Sequence, residues 1–388
     1  MKSTYFFIFV FCIVSLVVAA ESPQKVYRIT QEYYSNDWYK TQAELWKKEI
    51  EKNPQNAAAW ESYYYANRYV RFENVETEER QAKLAQIIED MGKAIPDSYE
   101  YTLLKAWNSH DINDISGYEK AYEMNPNRPD PLYTMATHYE IKNQQNRSNK
   151  YYQKIYDSKD IIPELVNYNY NVLMSVEENG ILYTNGDNDT YPARMLQEVK
   201  KIRPDVTLIN ASLAGVDDYL DLKLAEKGID LNVSGMRHAI TKEEGQYSHP
   251  KFLLLLFKTI DEKYKDIPQY FALTMSTMYI GEIEEDLQIT GLANRYCTSP
   301  FDNIALLKKN IERNFRIDYL QDEWYREDYV GINGMKRLHA NYAAVFIKLA
   351  THYKLAGEME QFGFMRDLAL HIAKQGSDKE LVKYIEAL

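Results

Sequence analysis

The chain has 388 residues, 45 % hydrophobic and 27 % charged, with 15 Gly and 12 Pro, a balance that excludes disordered, collagen-like and coiled-coil chains. Two or three domains are expected at this length. A net charge of −11 has the wrong sign for a phosphate-backbone binder, so no nucleic-acid partner is expected.

Lys2 precedes an almost unbroken apolar run from Tyr5 to Val18, and Val18-Ala19-Ala20 sets small residues where signal peptidase cuts. Residues 1–20 therefore read as an export signal. An uncleaved anchor is the competing reading, but about 14 apolar residues fall short of the roughly 20 a span needs. No later stretch reaches that length, so no transmembrane span is expected after cleavage. The mature chain is expected to be soluble in the periplasm or at the cell-envelope exterior of a Gram-negative bacterium. Only Cys297 would remain, which precludes an intramolecular disulfide and leaves stability to packing.

From Asp37 to about Val166 the pattern is helical, broken at Asn53-Pro54, Ile95-Pro96-Asp97 and Asn125-Pro126, turns 42 and 30 residues apart. Ala57-Ala58-Ala59-Trp60, Tyr64 and Ala66 follow the first turn. Tyr99, Tyr101, Leu103 and Leu104 follow the second, and Leu132, Tyr133, Ala136 and Tyr139 the third. These mixed small and large residues suit stacked helix pairs, none of which covers its own apolar face. The pattern of residues 21–165 resembles degenerate tetratricopeptide repeats, which implies binding of a protein or peptide partner in a superhelical groove. The 34 tyrosines, many of them here, either fill gaps between helices or line such a groove.

At Gly180 the rhythm changes. Ile181 to Thr184 reads as a strand, Asn185 to Thr190 as a turn, and Pro192 as the first turn of a helix burying Met195, Leu196, Val199 and Ile202. Val206 to Ile209 is a second strand, parallel to the first through a right-handed crossover. Helices are expected from Asp217 or Asp218 and from Pro250, with further strands at Tyr270 to Thr274 and Gly291 to Tyr296. Residues 166–300 thus predict a small, parallel, three- to four-stranded Rossmann-like α/β domain. Ligands of such sheets bind beyond the carboxyl ends of the strands. Asn185, Asp187, Asn188, Asp189 and Thr190 lie there, joined by Asn210, Ser212 and Ser276, and form the candidate ligand site. Asp187 and Asp189 are the candidate pair for a divalent cation, while turn formation and helix capping are the structural alternative for the same residues. No other cofactor is expected.

The run Ile181 to Pro192, followed by Leu196-Gln197-Glu198-Val199 and Ile202-Arg203-Pro204-Asp205-Val206, resembles the soluble C-terminal region of putative protein O-mannosyltransferases, multi-spanning membrane proteins. The likeness extends through Pro268 to Ala272 and Gly291 to Arg295 into Asn341-Tyr342-Ala343. In those proteins a membrane-embedded region, absent here, is thought to transfer the sugar. The resemblance implies an exported α/β module flanked by helical repeats, and a possible glycan ligand at the Asn185 to Thr190 loop.

Residues 301–388 read as a C-terminal helical repeat bundle. Asp302 caps a helix bearing Ile304, Leu307 and Ile311, and three more helices run from Met335 to Leu388. Nucleophile elbows, zinc-protease helices and phosphate-cradling glycine loops are missing from the sequence, and His238 and His249 flank an apparent loop. The expected function is therefore a non-catalytic interaction or scaffold protein. A glycan-binding or glycosylation-associated accessory, or an enzyme of that kind, using the Asn185 to Thr190 loop is the alternative.

Overall fold

The computed structural model describes residues 22–70, 77–320 and 330–388. The expected export signal lies outside them. Eight helices occupy the first half: α1 (Asn36–Lys52), α2 (Ala57–Tyr69), α3 (Thr77–Ala94), α4 (Tyr99–Ser109), α5 (Ser116–Met124), α6 (Asp130–Ile141), α7 (Gln145–Ser158) and α8 (Pro163–Met174). Side chains of Ser35, Asn56 and Ser98 cap α1, α2 and α4 by accepting from amides two or three residues on, which places each helix start right after a turn. Ala59, Tyr64, Ala66, Leu84 and Met91 share one core among α1 to α4. Tyr99, Tyr118 and Tyr139 share the next, among α4 to α6. Most tyrosines of this half therefore fill space between helices.

The second half is built on one sheet of β1 (Ile181–Thr184), β2 (Thr207–Asn210), β3 (Gln269–Ala272), β4 (Leu287–Ile289) and β5 (Ala293–Tyr296), in the order β2-β1-β3-β5-β4. β1 lies between β2 and β3, parallel to both. Side chains alternate between faces: Leu182, Leu208 and Tyr270 pack toward one layer of helices, Tyr183, Ile209 and Phe271 toward the other. The first layer includes α8 and α9 (Asp187–Lys200). The second consists of α10 (Asp217–Ala225), α11 (Val233–Glu244) and α12 (His249–Lys263).

Two expectations for this unit are corrected. The fourth expected strand, β5, is antiparallel to β3, and it pairs with an additional strand, β4. The connection after β3, with α13 (Thr277–Ile280) and a 3-10 turn, brings β4 in parallel to β3, and a tight β4–β5 hairpin then reverses the chain so that β5 lies antiparallel between them. Gly291 at its tip has φ +153°, and a Cβ there would sit 2.4 Å from Ser175 Oγ, the same oxygen that accepts from Leu292 N at 2.8 Å.

The second correction concerns the segment after β1. The helix begins at Asp187, so Asp187 to Thr190 form its first turn and Pro192 lies inside it. Pro192 has no N–H for the Asn188 carbonyl. The Asn169 side chain on α8 donates to that carbonyl at 2.8 Å instead.

The C-terminal helices are α14 (Asn303–Lys309), capped by Asp302, then α15 (Ile332–Ala356), α16 (Met359–Gln375) and α17 (Lys379–Glu386). Tyr342, Phe346, Leu349 and Tyr353 of α15 are buried in the core that also holds Leu182 and Tyr270. Among the described residues no helix is long and apolar enough to cross a membrane. The chain is thus mostly helical, with helical elements on both sides of one small mixed sheet.

Candidate functional site

β1 and β3 lead to opposite sides of the sheet, so the crevice beyond their carboxyl ends is where a ligand would be sought. Polar side chains do gather there, but they are turned upon one another. Asp189 is buried and accepts from Asn185 N at 2.7 Å, Gly186 N at 2.8 Å and Thr274 Oγ1 at 2.5 Å. Asn185 Oδ1 in turn accepts from Ser276 N at 3.0 Å. Thr190 Oγ1 bonds Thr184 Oγ1 at 2.7 Å and accepts from Asn210 Nδ2 at 2.9 Å, while Asn210 Oδ1 accepts from Leu213 N at 3.0 Å. Ser212 is exposed and joins none of these bonds. The cluster is a clasp that holds three strand ends to the start of α9. Burial pushes the Asp189 carboxyl above its usual range, against the pull of the bonds from Thr274 and the two amides.

Asp187, two residues away, behaves differently. It makes no hydrogen bond, ion pair or ring contact among the described residues, and it lines a cavity of about 1080 Å³. Asp187 is exposed within that cavity, with protein crowded around its other sides. Burial raises its pKa, Arg28 opposes the shift and the charge of Asp189 adds to it. The two aspartates thus sit in different surroundings, one bonded inward and one open to the cavity. Among the described residues no group of three His, Cys, Asp or Glu side chains converges as a metal site.

The cavity lies where the helical array, the start of α9 and the start of α15 face one another. The segment before α1 forms part of its wall through Arg28, Ile29, Thr30 and Gln31. Asn188 Nδ2 fixes that segment by donating to Thr30 O at 3.0 Å, and Glu32 Oε2 accepts from Gly331 N at 3.0 Å. Arg28 reaches Asp130 at 3.1 Å and Asp160 at 2.8 Å, with its guanidinium 5.3 Å from the centre of the Tyr133 ring. Burial works against the Asp130 charge, but Arg28 and Arg128 together hold its pKa below the usual value. Arg68 stacks 4.6 Å over the Trp107 ring, and Tyr191 meets Tyr133 edge-on at 4.9 Å. Of the eight residues singled out by sequence reasoning, Asp187 and Asn188 line this space. Sequence reasoning missed Arg28, Arg68, Trp107, Asp130, Tyr133 and Asp160, because no local spacing unites residues from so many elements.

A buried charge cluster fixes the helical array to the sheet's helices. Glu140 of α6 meets Arg194 of α9 at 3.0 Å and Lys223 of α10 at 2.7 Å. Burial would raise the Glu140 carboxyl, but Arg194 and Lys223 prevail and hold it at about 2. The remaining chemistry-bearing side chains are quiet. His238 lies exposed on α11 rather than in a loop. His249 has both ring nitrogens engaged, with Ala211 O at 2.8 Å and Tyr247 Oη at 2.9 Å. Cys297 is a half-buried free thiol whose pKa burial raises, the reverse of an activated nucleophile.

Fold and cavity together define a mostly helical chain enclosing one mixed α/β sheet, with a deep pocket where its parts meet. A family model described as TMEM260-associated domain 2 matches residues 165–243, which include α8, β1, α9, β2 and α10 with Asp187, Asp189 and Asn210. This stretch overlaps the part that resembles the putative protein O-mannosyltransferases, from Ile181 onward. No curated protein matches the chain.

Proposed function

We propose that this chain is an exported, non-catalytic binding protein that takes an extended segment of a protein or peptide partner into the cavity. The observation that carries the reading is the cavity itself. At about 1080 Å³ it sits at the upper end of ligand-pocket sizes, and it combines aromatic walls with a few placed charges, as binding pockets do. The degenerate tetratricopeptide-like character of the first half, and the likeness of the α/β part to the soluble tail of the mannosyltransferases, fit a module that presents a surface to another chain. Among the described residues, the polar cluster at the strand ends is consumed by its own hydrogen bonds, and His249 is engaged on both sides, which supports a binding role over a catalytic one.

A photo-crosslinking residue placed at Tyr118, on the cavity wall, tests this in envelope extracts. Partner polypeptides should be captured there and should not be captured from an exposed position such as Met278. Equal labelling from both positions removes the reading.

One observation favours the glycan-binding alternative: the matched family region includes Asp187 and Asn188 of the same wall. Glycan-array binding lost in Asp187→Ala would support that role.

A further inference from the structure

Among the described residues six charged side chains line the cavity: Arg28, Arg68, Asp130, Lys159, Asp160 and Asp187. Five are engaged. Arg28 holds Asp130 and Asp160. Arg68 lies over the Trp107 ring and contacts Tyr64 Oη at 3.5 Å, and Lys159 lies 4.1 Å over Tyr156. Asp187 alone among them has no hydrogen-bond, ion-pair or ring partner among the described residues. Its side chain is exposed to the cavity and feels the charges of Arg28 and Arg68 without touching either, so it stands as an open acceptor for a cation that enters.

The cavity also shows what it accepts. The segment before α1 has no helix or strand, and from it Arg28 enters the cavity between two carboxylates and against the Tyr133 ring. An arginine side chain, carried here at the start of a turn whose Gln31 and Glu32 amides donate to the Arg28 carbonyl, is thus already accommodated on this wall, by charge pairing and ring contact together. A net charge of −11 favours approach of a basic partner as well.

We infer that the bound segment is basic, and that Asp187 is the specificity-determining residue that receives an arginine or lysine side chain of the ligand. This rests on the peptide-binding reading above and adds its charge class. The side chain of Arg28 serves as the internal precedent, while Asp187 is the acceptor left for the partner. Asn188, next to Asp187, ties down the neighbouring chain segment through Thr30 O, so the carboxylate stands beside a fixed wall.

The experiment uses the full exported chain and two random hexapeptide pools, identical except that one carries a fixed arginine and the other citrulline, its neutral isostere. Enrichment is read by mass spectrometry and the enriched sequences are titrated by fluorescence anisotropy. The arginine peptides should bind at least tenfold more tightly than their citrulline twins. Asp187→Asn, checked for an unchanged melting temperature, should erase the difference, and Asp187→Glu should keep most of it. Equal binding of the two pools by the unaltered chain, or a preference that survives Asp187→Asn, overturns the charge assignment while leaving peptide binding intact. Failure of both pools to bind overturns the peptide-binding reading together with it.

Discussion

The side chain of Asn169 stands in for the backbone amide that Pro192 lacks: its Nδ2 donates to the Asn188 carbonyl at 2.8 Å, and without it that carbonyl would have no helical partner. This one bond lets α9 begin at Asp187, five residues before a proline that is best tolerated at the first helical position, and so brings Asp187 and Asn188 onto the cavity wall. Asn169→Ala should cost about 1–3 kcal/mol, the range for a buried polar group left unsatisfied. In a Pro192→Ala background, where an N–H is restored, the same change should cost less. A double-mutant cycle by urea denaturation measures the difference, and equal costs in both backgrounds would show that the proline is not what Asn169 answers.

Asp187 and Asp189 separate binding from stability. Asp189→Ala removes the acceptor of two backbone amides and of Thr274, so about 1–3 kcal/mol of stability should be lost. Asp187→Ala breaks no bond among the described residues and should change stability by no more than about 1 kcal/mol, the scale of a favourable charge at a helix start. Chemical denaturation of both variants checks this. A larger loss for Asp187 than for Asp189 would reverse the roles assigned to them.

Much of this was written locally. The starts of α1, α2 and α4 follow from capping side chains, and β1, β2 and their crossover from apolar runs separated by a helical period. The start of α9 was not legible, because its missing donor comes from α8, outside the local pattern. The direction of β5 was not legible either, since the short turn from β4, a strand the pattern did not reveal, sets it rather than the strand's own residues. In the candidate site, the sequence found the polar strand edge but not its inward-turned hydrogen bonds. The cavity depends on contacts such as Asn188 with Thr30 and Glu32 with Gly331, and periodicity carries no trace of partners so far apart in the chain.

Glu140 is the acidic centre between α6, α9 and α10, and its removal should be costly in a particular way. Glu140→Gln removes the countercharge that Lys223 and Arg194 share, but Arg194 keeps Glu198 at 3.1 Å and Lys223 keeps Glu226 at 3.0 Å, so the destabilisation should fall below the roughly 3–5 kcal/mol of a charge left with no partner. The pH dependence follows from the depressed carboxyl. Its folded pKa of about 2 lies below the unfolded value of about 4.3, so the contribution is complete above that unfolded value and is lost as pH falls toward 2. Urea midpoints measured from pH 5 to pH 2 should drop less steeply in Glu140→Gln than in the unaltered chain.

His339 governs a different pH window. It sits on α15, 2 % exposed, beside the rings of Tyr319 and Tyr342, with neither ring nitrogen hydrogen-bonded. Burial alone lowers its pKa to about 4, against about 6.5 in the unfolded chain. The unfolded state therefore binds the proton first as pH falls, so stability should decline between about pH 6.5 and pH 4, by on the order of 3 kcal/mol once the lower limit is passed. His339→Phe keeps a ring among the tyrosines and removes the titration. Its stability should stay nearly flat across that interval, while the unaltered chain loses stability with each step toward acid. Parallel slopes for the two proteins between pH 6.5 and pH 4 would mean that the imidazole takes up its proton in the folded state as readily as in the unfolded one.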